Sequence, residues 1–454
     1  MPSSEPQSLE RRLGPFDAAA IIVANVIGGG ILFFPPGIAA NTPNTWVFLS
    51  TWVTGGFLAF CGAMAYAELA ALRPRAGGEY VYLREAYGGL AGFLTGWTSF
   101  IAGFAGAIAA NAMIVPFYLE RFAPGAANST PWLQIPLPYL TVTLSTQGMI
   151  AIAIVWLLAI VHIRGVGPGR VVSNALTILK VVALLAFIAA GLIMSGAAPA
   201  APSSASAGAV TATGWLLGLI VVMFVYSGWN AAAYMAEEIR SPGRNVPLAL
   251  LIGTAAVTLI YLLMNVLFVY VMSIGELAAV KGSVLDVVAD RLLGVRAGDV
   301  MGLVSIVSLA AGINAYTFAG PRVYFAMARD GAFFRSAADI HPRFKTPAMS
   351  IAAQAAFAIL LVLTGSLDAL ANYVGFAITL FLGLAVAAVF VLRRREPHAP
   401  RPFRAIGYPV TPAIFTLASL LIVLNAFYTD PRRTLIGAAI ILAGVPVYWW
   451  LRRR

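Results

Sequence analysis

Long apolar runs recur along the whole sequence and are separated by short polar segments. A run of about 18 residues is enough to cross a hydrocarbon core of roughly 30 Å as a helix. The apolar residues are continuous, as in 181–188, and do not alternate with polar ones as in a transmembrane barrel. The pattern predicts an all-α polytopic membrane protein. The twelve predicted spans are residues 16–40, 46–71, 89–120, 148–164, 171–195, 214–239, 247–273, 299–329, 348–365, 368–393, 408–428 and 433–451.

The composition supports this prediction. Of the 454 residues, 60% are hydrophobic and 10% are charged, and the mean hydropathy is +0.86. A water-soluble domain of this size would aggregate with so much apolar surface. Because the polar segment 1–13 is not followed by a short apolar core with a small-residue cleavage site, we expect the first span to be retained.

The net charge of +11 is distributed loop by loop. If both termini are cytoplasmic, most of the 29 Lys and Arg residues lie on the inner side. The predicted outer loops hold Arg121, Lys281, Arg291, Arg296, Arg432 and Arg433. This asymmetry follows the positive-inside rule and predicts a multi-pass protein of the cytoplasmic membrane. Since the basic residues are spread over separate loops, no nucleic-acid partner is expected.

The residues typical of catalytic and metal sites are few and scattered. The single cysteine, Cys61, lies within the second span and is interpreted as a small core residue. His162, His341 and His398 do not have helical metal-ligand spacing. We therefore expect neither enzymatic activity nor a metal or other cofactor. A channel would need rings of like groups or a filter sequence, so a transporter is the favoured class.

The first span contains residues that interrupt a helix. Gly28, Gly29 and Gly30 stand in mid-membrane, and Pro35 and Pro36 follow. Each glycine weakens a helix by about 1 kcal/mol relative to alanine, so the triplet predicts a break. Close helix packing, the commoner role of intramembrane glycine, is the alternative.

The sixth span has a weaker interruption at Ser227 and Gly228. Broken first and sixth spans would occupy equivalent positions in two halves of five spans, as in transporters built from inverted repeats. The predicted organisation is a cytoplasmic N-terminus (1–15), a first repeat (16–195), an external loop (196–213), a second repeat (214–393), and two final spans with a cytoplasmic C-terminus (394–454).

Broken helices expose backbone amides and carbonyls in mid-membrane. Amides after the first break are predicted to bind a carboxylate, and carbonyls at both breaks to accept hydrogen bonds from an ammonium group. An amino acid carries both groups. The predicted substrate-binding residues are Val26, Gly28, Gly29, Gly30, Phe224, Ser227 and Asn230.

Further candidates are polar or aromatic residues within apolar spans. Tyr226, Trp229 and Asn314 are possible pathway residues. Hydrogen bonding between helices explains an intramembrane asparagine equally well, and most membrane aromatics only pack.

Lys180 lies deep within the fifth span, roughly 14 Å from its nearer end at 1.5 Å per residue. Snorkelling over that distance is difficult, so the ammonium is expected to pair with carbonyls or polar side chains inside the protein. An intramembrane charge is a functional candidate by default. A structural lysine without a role in turnover is the alternative.

Five motifs occur in order along nearly the whole chain. They are Asn25-Val26-Ile27-Gly28-Gly29-Gly30-Ile31, Gly77-Gly78-Glu79-Tyr80-Val81-Tyr82, Gly228-Trp229-Asn230 with Glu237-Glu238-Ile239, Gly320-Pro321-Arg322-Val323-Tyr324, and Arg401-Pro402-Phe403-Arg404 with Gly407-Tyr408-Pro409. Together they resemble the amino acid-polyamine-organocation (APC) superfamily, and within it the L-type amino acid transporter (LAT)-like branch.

The resemblance implies ten core helices in two inverted five-helix repeats, broken helices 1 and 6, two peripheral helices, and alternating access around a midplane amino-acid site. It also implies that Lys180 replaces the sodium ion of sodium-coupled relatives and links the fifth span to the broken first span. Gly29 departs from many relatives, which carry serine or alanine there. Animal L-type relatives pair with a single-span glycoprotein, but Cys61 offers no evident disulfide link, so no accessory subunit is indicated.

These features predict a sodium-independent amino acid transporter that exchanges neutral L-amino acids, with proton-coupled symport as the alternative. A neutral substrate is expected because no acidic residue was found near the middle of spans 1, 3, 6, 8 or 10. Glu79 is assigned to an inner loop, either as part of a gate or as a solvated charge. The segment 284–293 is predicted to be a short helix across the outer vestibule. The expected partners are the substrate and membrane lipid.

Overall fold

The computed structural model describes residues 9–136, 141–194, 210–364 and 367–453, and this part of the chain is mostly helical. Ten of its helices are long and apolar enough to cross a membrane. They are Pro15–Phe33, Thr45–Leu72, Gly89–Leu119, Thr146–Ile163, Val166–Ile193, Pro242–Val271, Ala297–Arg329, Ala377–Arg395, Val410–Thr429 and Pro431–Arg452. Two shorter apolar helices, Ala212–Val225 and Ala348–Thr364, coincide with the sixth and ninth predicted spans.

The elements are numbered in chain order. The helices are α1 (Pro15–Val26), α2 (Gly30–Phe33), α3 (Pro35–Asn41), α4 (Thr45–Leu72), α5 (Glu79–Tyr87), α6 (Gly89–Thr98), α7 (Phe104–Leu119), α8 (Thr146–Ile163), α9 (Val166–Met194), α10 (Ala212–Val225), α11 (Ala231–Tyr234), α12 (Pro242–Val271), α13 (Ile274–Ala279), α14 (Val284–Leu293), α15 (Val295–Arg329), α16 (Ala348–Thr364), α17 (Leu367–Arg395), α18 (Val410–Thr429), α19 (Pro431–Leu442) and α20 (Gly444–Arg452). The strands are β1 (Leu133–Pro136) and β2 (Thr141–Leu144), a π-helical turn (Ser99–Gly103) joins α6 to α7, and a 3-10 helix (Arg335–Ala338) follows α15.

Helix α1 lies at the centre of the bundle, where α9, α12 and α15 pack around it. Large apolar side chains remain exposed on helices further out, including Leu157 on α8, Leu179 on α9 and Leu421 on α18. Exposed apolar side chains are favourable in contact with lipid tails and unfavourable in contact with water. The packing thus places the broken first helix inside the protein and leaves an apolar exterior for the membrane.

The structure confirms both predicted helix interruptions. Helix α1 ends at Val26 and α2 begins at Gly30, while α10 ends at Val225 and α11 begins at Ala231. The sixth predicted span therefore ends earlier as a helix than the expected 214–239. The short helix expected at 284–293 is α14, which packs against α15 and also contacts α2.

The prediction of a purely α-helical protein was wrong at one place. Strands β1 and β2 pair antiparallel, with Leu133 opposite Leu144. Four-residue strands are too short to give a periodic signal in the sequence. Most of the predicted external loop 196–213 lies outside the described residues, which omit 195–209.

Several segments that were predicted to lie on the cytoplasmic side meet at one end of the bundle. The Leu13 amide donates to the carbonyl of Glu238, and the Leu13 carbonyl accepts from the amide of Arg240. The N to O distance is 2.9 Å in each hydrogen bond. Glu237 accepts hydrogen bonds from Arg329 at 2.8 and 2.9 Å and from the amide of Ala76 at 3.0 Å. The N-terminal segment, the loop after α4, the segment after α11 and the end of α15 are therefore tied together.

Glu238 and Arg322 form a second ion pair beside this contact. Their side chains are 0% and 1% exposed, and the guanidinium meets both carboxylate oxygens at 2.7 and 3.1 Å. The guanidinium also donates to the carbonyl of Phe318 at 2.6 Å and lies 4.3 Å from the centroid of its ring. The charges of Glu238 and Arg322 therefore neutralise each other inside the protein.

Replacing Glu238 with glutamine is expected to destabilise the protein by about 3–5 kcal/mol, because a buried Arg322 would lose its counter-charge. The measurement is thermal unfolding of the purified protein in detergent, followed by intrinsic fluorescence. Glu10→Gln is the control, since Glu10 and Arg12 are both about half exposed and such pairs contribute little. Equal melting temperatures for the two variants would contradict the prediction.

Candidate functional site

A cavity with a volume of about 130 Å³ lies where the two interrupted helices meet. Helix α1 contributes Asn25 to its wall. The last turn of α10 contributes Phe224, and the connection between α10 and α11 contributes Ser227, Gly228 and Asn230. Three of the predicted substrate-binding residues therefore line one cavity, and all three come from the sixth predicted span.

The opposite walls come from helices that were not predicted to be interrupted. The π-helical turn between α6 and α7 contributes Ser99 and Gly103, and α17 contributes Phe381. A π-helical turn inside an α-helix displaces its neighbours and often occurs at a functional site. Here it lines the cavity directly.

The two helix interruptions are in direct contact. The side-chain amide of Asn25 donates to the carbonyl of Gly228 at 3.1 Å. Gly228 has φ +102°, and a Cβ at this position would stand 2.7 Å from Asn25 Nδ2. Glycine is thus required both by the backbone conformation and by the close approach of α1.

Tyr261 on α12 binds the ends of both first half-helices. Its hydroxyl lies 2.8 Å from the carbonyl oxygen of Val26 and 3.3 Å from that of Val225. These carbonyls are the last of α1 and α10 and have no continuing helix to bind them. The Val26 carbonyl also accepts from the amide of Gly28 at 2.9 Å, so both of its acceptor positions are used.

The glycine triplet forms the interruption and also packs closely. A Cβ on Gly30 would lie 3.1 Å from Val225, and one on Gly29 would lie 3.4 Å from Leu309. Within the described residues, the amides of Gly29 and Gly30 donate to no protein acceptor. The glycine triplet therefore both interrupts the helix and allows close packing, as the two interpretations proposed.

Lys180 is completely buried and points at the C-terminal end of α1. Its ammonium lies 2.6 Å from the carbonyl oxygen of Ile27, 3.3 Å from that of Ala24 and 3.4 Å from that of Val23. A helix C-terminus carries partial negative charge and carbonyls without intrahelical partners. The structure thus brings the fifth predicted span and the broken first span together through one cation.

Glu79 begins α5 and also lines the cavity, so its burial contradicts the solvated alternative and leaves the gate as a prediction. Its side chain is 7% exposed. One oxygen, Oε1, accepts hydrogen bonds from Tyr66 at 2.9 Å, from Tyr234 at 2.8 Å and from Asn230. Burial raises the pKa of Glu79 above its usual value, and the three hydrogen bonds act in the opposite direction. The cavity therefore has an acidic wall residue that the sequence analysis had excluded.

The predicted residues Val26, Gly28, Gly29 and Gly30 do not line this cavity, and neither do the three possible pathway residues. Tyr226 donates to the carbonyl of Trp52 at 3.3 Å, and Trp229 packs edge-on against Tyr66. Trp229 also lines a small neighbouring cavity that shares Phe224 and Ser227 with the main one. Asn314 is buried and lies 2.8 Å from His162 Nε2, which is the hydrogen bond between helices considered above.

Other wall residues were missed by the sequence analysis. These are Thr95, Thr98, Ser99, Gly103, Phe104, Gly106, Ala107, Ala110, Tyr234, Tyr316, Ala377, Ile378, Phe381 and Leu382. Asn25 could have been predicted as a wall residue, because it is a polar residue in an apolar run just before the glycine triplet. The remainder are residues of ordinary appearance in apolar spans, and only tertiary packing brings them to the cavity.

Comparison with known proteins agrees with this geometry. A family profile described as "Amino acid permease" matches residues 13–451. The chain belongs to the amino acid permease family. The permease is 31% identical to the Large neutral amino acids transporter small subunit 2 of Homo sapiens, over 97% of its own length and 80% of that protein. It is 28% identical to the Serine/threonine exchanger SteT of Bacillus subtilis, over 99% of each chain. It is 30% identical to the Cystine/glutamate transporter of Homo sapiens, over 99% of its own length and 86% of that protein.

These matches confirm the resemblance to the LAT-like branch of the APC superfamily. The permease is a multi-pass membrane transporter and not an enzyme, since its relatives are transporters.

Proposed function

We propose that this permease is a sodium-independent exchanger of neutral L-amino acids that works by alternating access. The observation that carries the proposal is the contact of Lys180 with three carbonyls at the end of α1. A fixed ammonium there supplies the positive charge that a coupling cation would otherwise bring to an interrupted helix. Transport would then not require a coupling cation to bind at this position.

The substrate backbone is proposed to bind across the two interruptions. Its carboxylate would accept hydrogen bonds from the amides of Gly29 and Gly30, which are free of protein acceptors among the described residues. Its ammonium would donate to the carbonyl of Ser227 and to Asn25 Oδ1, a buried atom without a hydrogen-bond partner. The Val26 carbonyl, already bound to Tyr261 and Gly28, positions the break in this proposal.

A neutral side chain is favoured by the names of two of the relatives, a large neutral amino acids transporter and a serine/threonine exchanger, whereas the third is a cystine/glutamate transporter. The earlier ground for neutrality, the lack of an acidic residue near the site, no longer holds because Glu79 lines the cavity. Its carboxylate is largely bound within the protein, so neutrality remains the proposal.

The membrane arrangement proposed is twelve spans in the cytoplasmic membrane with both termini cytoplasmic. Ten of these spans would form two inverted repeats, with the interruptions after α1 and α10 at equivalent positions. The basic segments that meet around Glu237 and Glu238 fit the inner side. Substrate and lipid are the proposed partners.

The test is uptake of labelled threonine, alanine, leucine and arginine by the purified chain in proteoliposomes. We expect uptake of the neutral amino acids to require unlabelled amino acid inside and to be equal in sodium and potassium buffers. Uptake into empty vesicles only with a sodium gradient would contradict the proposal. Preferential uptake of arginine would contradict the assignment of a neutral substrate.

Proton-coupled symport is the second candidate, and Glu79 is the observation that favours it. Burial raises the pKa of this carboxyl, which favours its protonated form. Symport predicts accumulation in empty vesicles when the outside is acidified, whereas exchange predicts no accumulation there.

A further inference from the structure

We propose that Glu79 recognises the substrate side chain, with its oxygen Oε2 accepting a hydrogen bond from a hydroxyl group. The permease would then prefer hydroxyl-bearing amino acids to apolar ones of the same shape. This inference deepens the proposed function and rests on it for the position of the substrate.

The two oxygens of Glu79 have different surroundings. Oε1 is fully occupied by Tyr66, Tyr234 and Asn230. Oε2 receives no hydrogen bond from the described residues, although the side chain is 7% exposed and lines the cavity. Oε2 is not among the buried atoms that lack a partner, so it is open to the cavity, where a ligand can supply a donor to it.

The cavity brings Glu79 together with the interruption that is proposed to hold the substrate. Ser227 and Gly228, at the interruption proposed to hold the substrate ammonium, line the same cavity as Glu79. Asn230 follows them in the chain and fixes Glu79 Oε1 directly. A substrate held by its backbone at the interruption thus has a side-chain acceptor within the same small space.

The surroundings of Glu79 favour a neutral donor over a cation. Within the described part of the chain, Glu79 forms no salt bridge, and its hydrogen-bond partners are two phenols and an amide. The nearby wall includes Thr95, whose hydroxyl is buried without a partner. A hydroxyl is therefore the donor that fits.

The first test uses the unaltered protein and two isosteric ligands. Threonine and valine differ only in a hydroxyl in place of a methyl group. Their binding to the permease in lipid nanodiscs is measured directly by microscale thermophoresis, so the result does not depend on whether exchange occurs. We expect threonine to bind roughly tenfold more tightly than valine, as for a hydrogen bond to a charged group. Equal affinities would overturn the inference.

The second test changes the acceptor. Glu79→Gln keeps an oxygen for Tyr66, Tyr234 and Asn230 but replaces the free oxygen by a neutral donor. We expect the preference for threonine to fall to about threefold or less, because charge-assisted hydrogen bonds are roughly twice as strong as neutral ones. Glu10→Gln, at an exposed position outside the cavity, should keep the preference of the unaltered protein.

Three outcomes would overturn the inference. The first is an equal loss of threonine and valine binding in Glu79→Gln, which identifies a purely structural carboxylate. The second is an unchanged preference with an altered pH profile, which identifies a proton carrier. The third is arginine binding more tightly than threonine, which identifies a cation as the donor. If Glu79→Gln fails to fold, Glu79→Asp, which withdraws the carboxylate but keeps its charge, should still reduce the preference. An unchanged preference in Glu79→Asp would also contradict the inference.

Discussion

Replacing Lys180 with alanine is expected to reduce amino acid uptake to the level of empty liposomes. The substitution removes the cation that binds the carbonyls of Val23, Ala24 and Ile27 at the end of α1. The Val23 carbonyl keeps the Ile27 amide as a donor at 3.0 Å, but each buried carbonyl left without a donor costs about 1–3 kcal/mol. The end of α1 would be destabilised in the conformation that lines the cavity. The measurement is uptake of labelled threonine into proteoliposomes loaded with unlabelled threonine.

The controls separate a role in turnover from general damage. Lys281→Ala removes an exposed lysine from the segment before α14 and should transport like the unaltered protein. The melting temperature and threonine affinity of Lys180→Ala show whether folding and binding survive. Transport at the rate and affinity of the unaltered protein would leave Lys180 with a structural role only. Partial recovery of Lys180→Ala in sodium buffer would support the view that the ammonium stands in for a cation.

Lys180 is one of several connections that hold the first interruption. Tyr261 binds the end of α1 from α12, Tyr316 of α15 donates to the carbonyl of Asn25 at 3.4 Å, and the Asn25 side chain binds Gly228. These partners lie on different elements, so any movement of α1 must break or carry with it contacts to each of them. This explains how occupation of one small cavity can be coupled to movement of several helices.

The parts predictable from sequence are those with a strong local signal. Continuous apolar runs located the membrane helices, and the glycine triplet located the first interruption. Lys180 was identified because a charge in mid-membrane has few explanations. In these cases the physical cause, contact with lipid or an interruption of the helix, acts on the residues of a single segment. The sequence of that segment is therefore enough to predict the feature.

The parts not predictable depend on contacts between distant segments. Glu79 looks like a loop residue, and only packing of Tyr66, Asn230 and Tyr234 around it makes it a buried wall residue. The π-helical turn Ser99–Gly103 has no sequence signature and arises within an apolar helix. For Asn314, the amide alone could not distinguish a pathway residue from a partner of His162.

Replacing Gly228 with alanine is expected to lower transport by at least roughly tenfold. At φ +102° an alanine is strained, which costs of order 1–3 kcal/mol, and its Cβ would lie 2.7 Å from Asn25 Nδ2. Relief of this clash would push α1 away from the α10–α11 connection and break the hydrogen bond between Asn25 and the Gly228 carbonyl. Both elements are proposed to hold the substrate ammonium, so affinity should fall together with the maximal rate.

A second glycine separates strain from steric contact. Gly125 also has positive φ, at +90°, but no atom lies within 4 Å of a Cβ there. Gly125→Ala should therefore lose some stability while threonine affinity stays unchanged. Gly228→Ala should lose affinity as well, and the additional change Asn25→Ser should restore part of its stability by removing the clash. If Gly228→Ala and Gly125→Ala behave alike in threonine binding, the contact between the two interruptions does not shape the site, and the proposed position of the substrate ammonium fails with it.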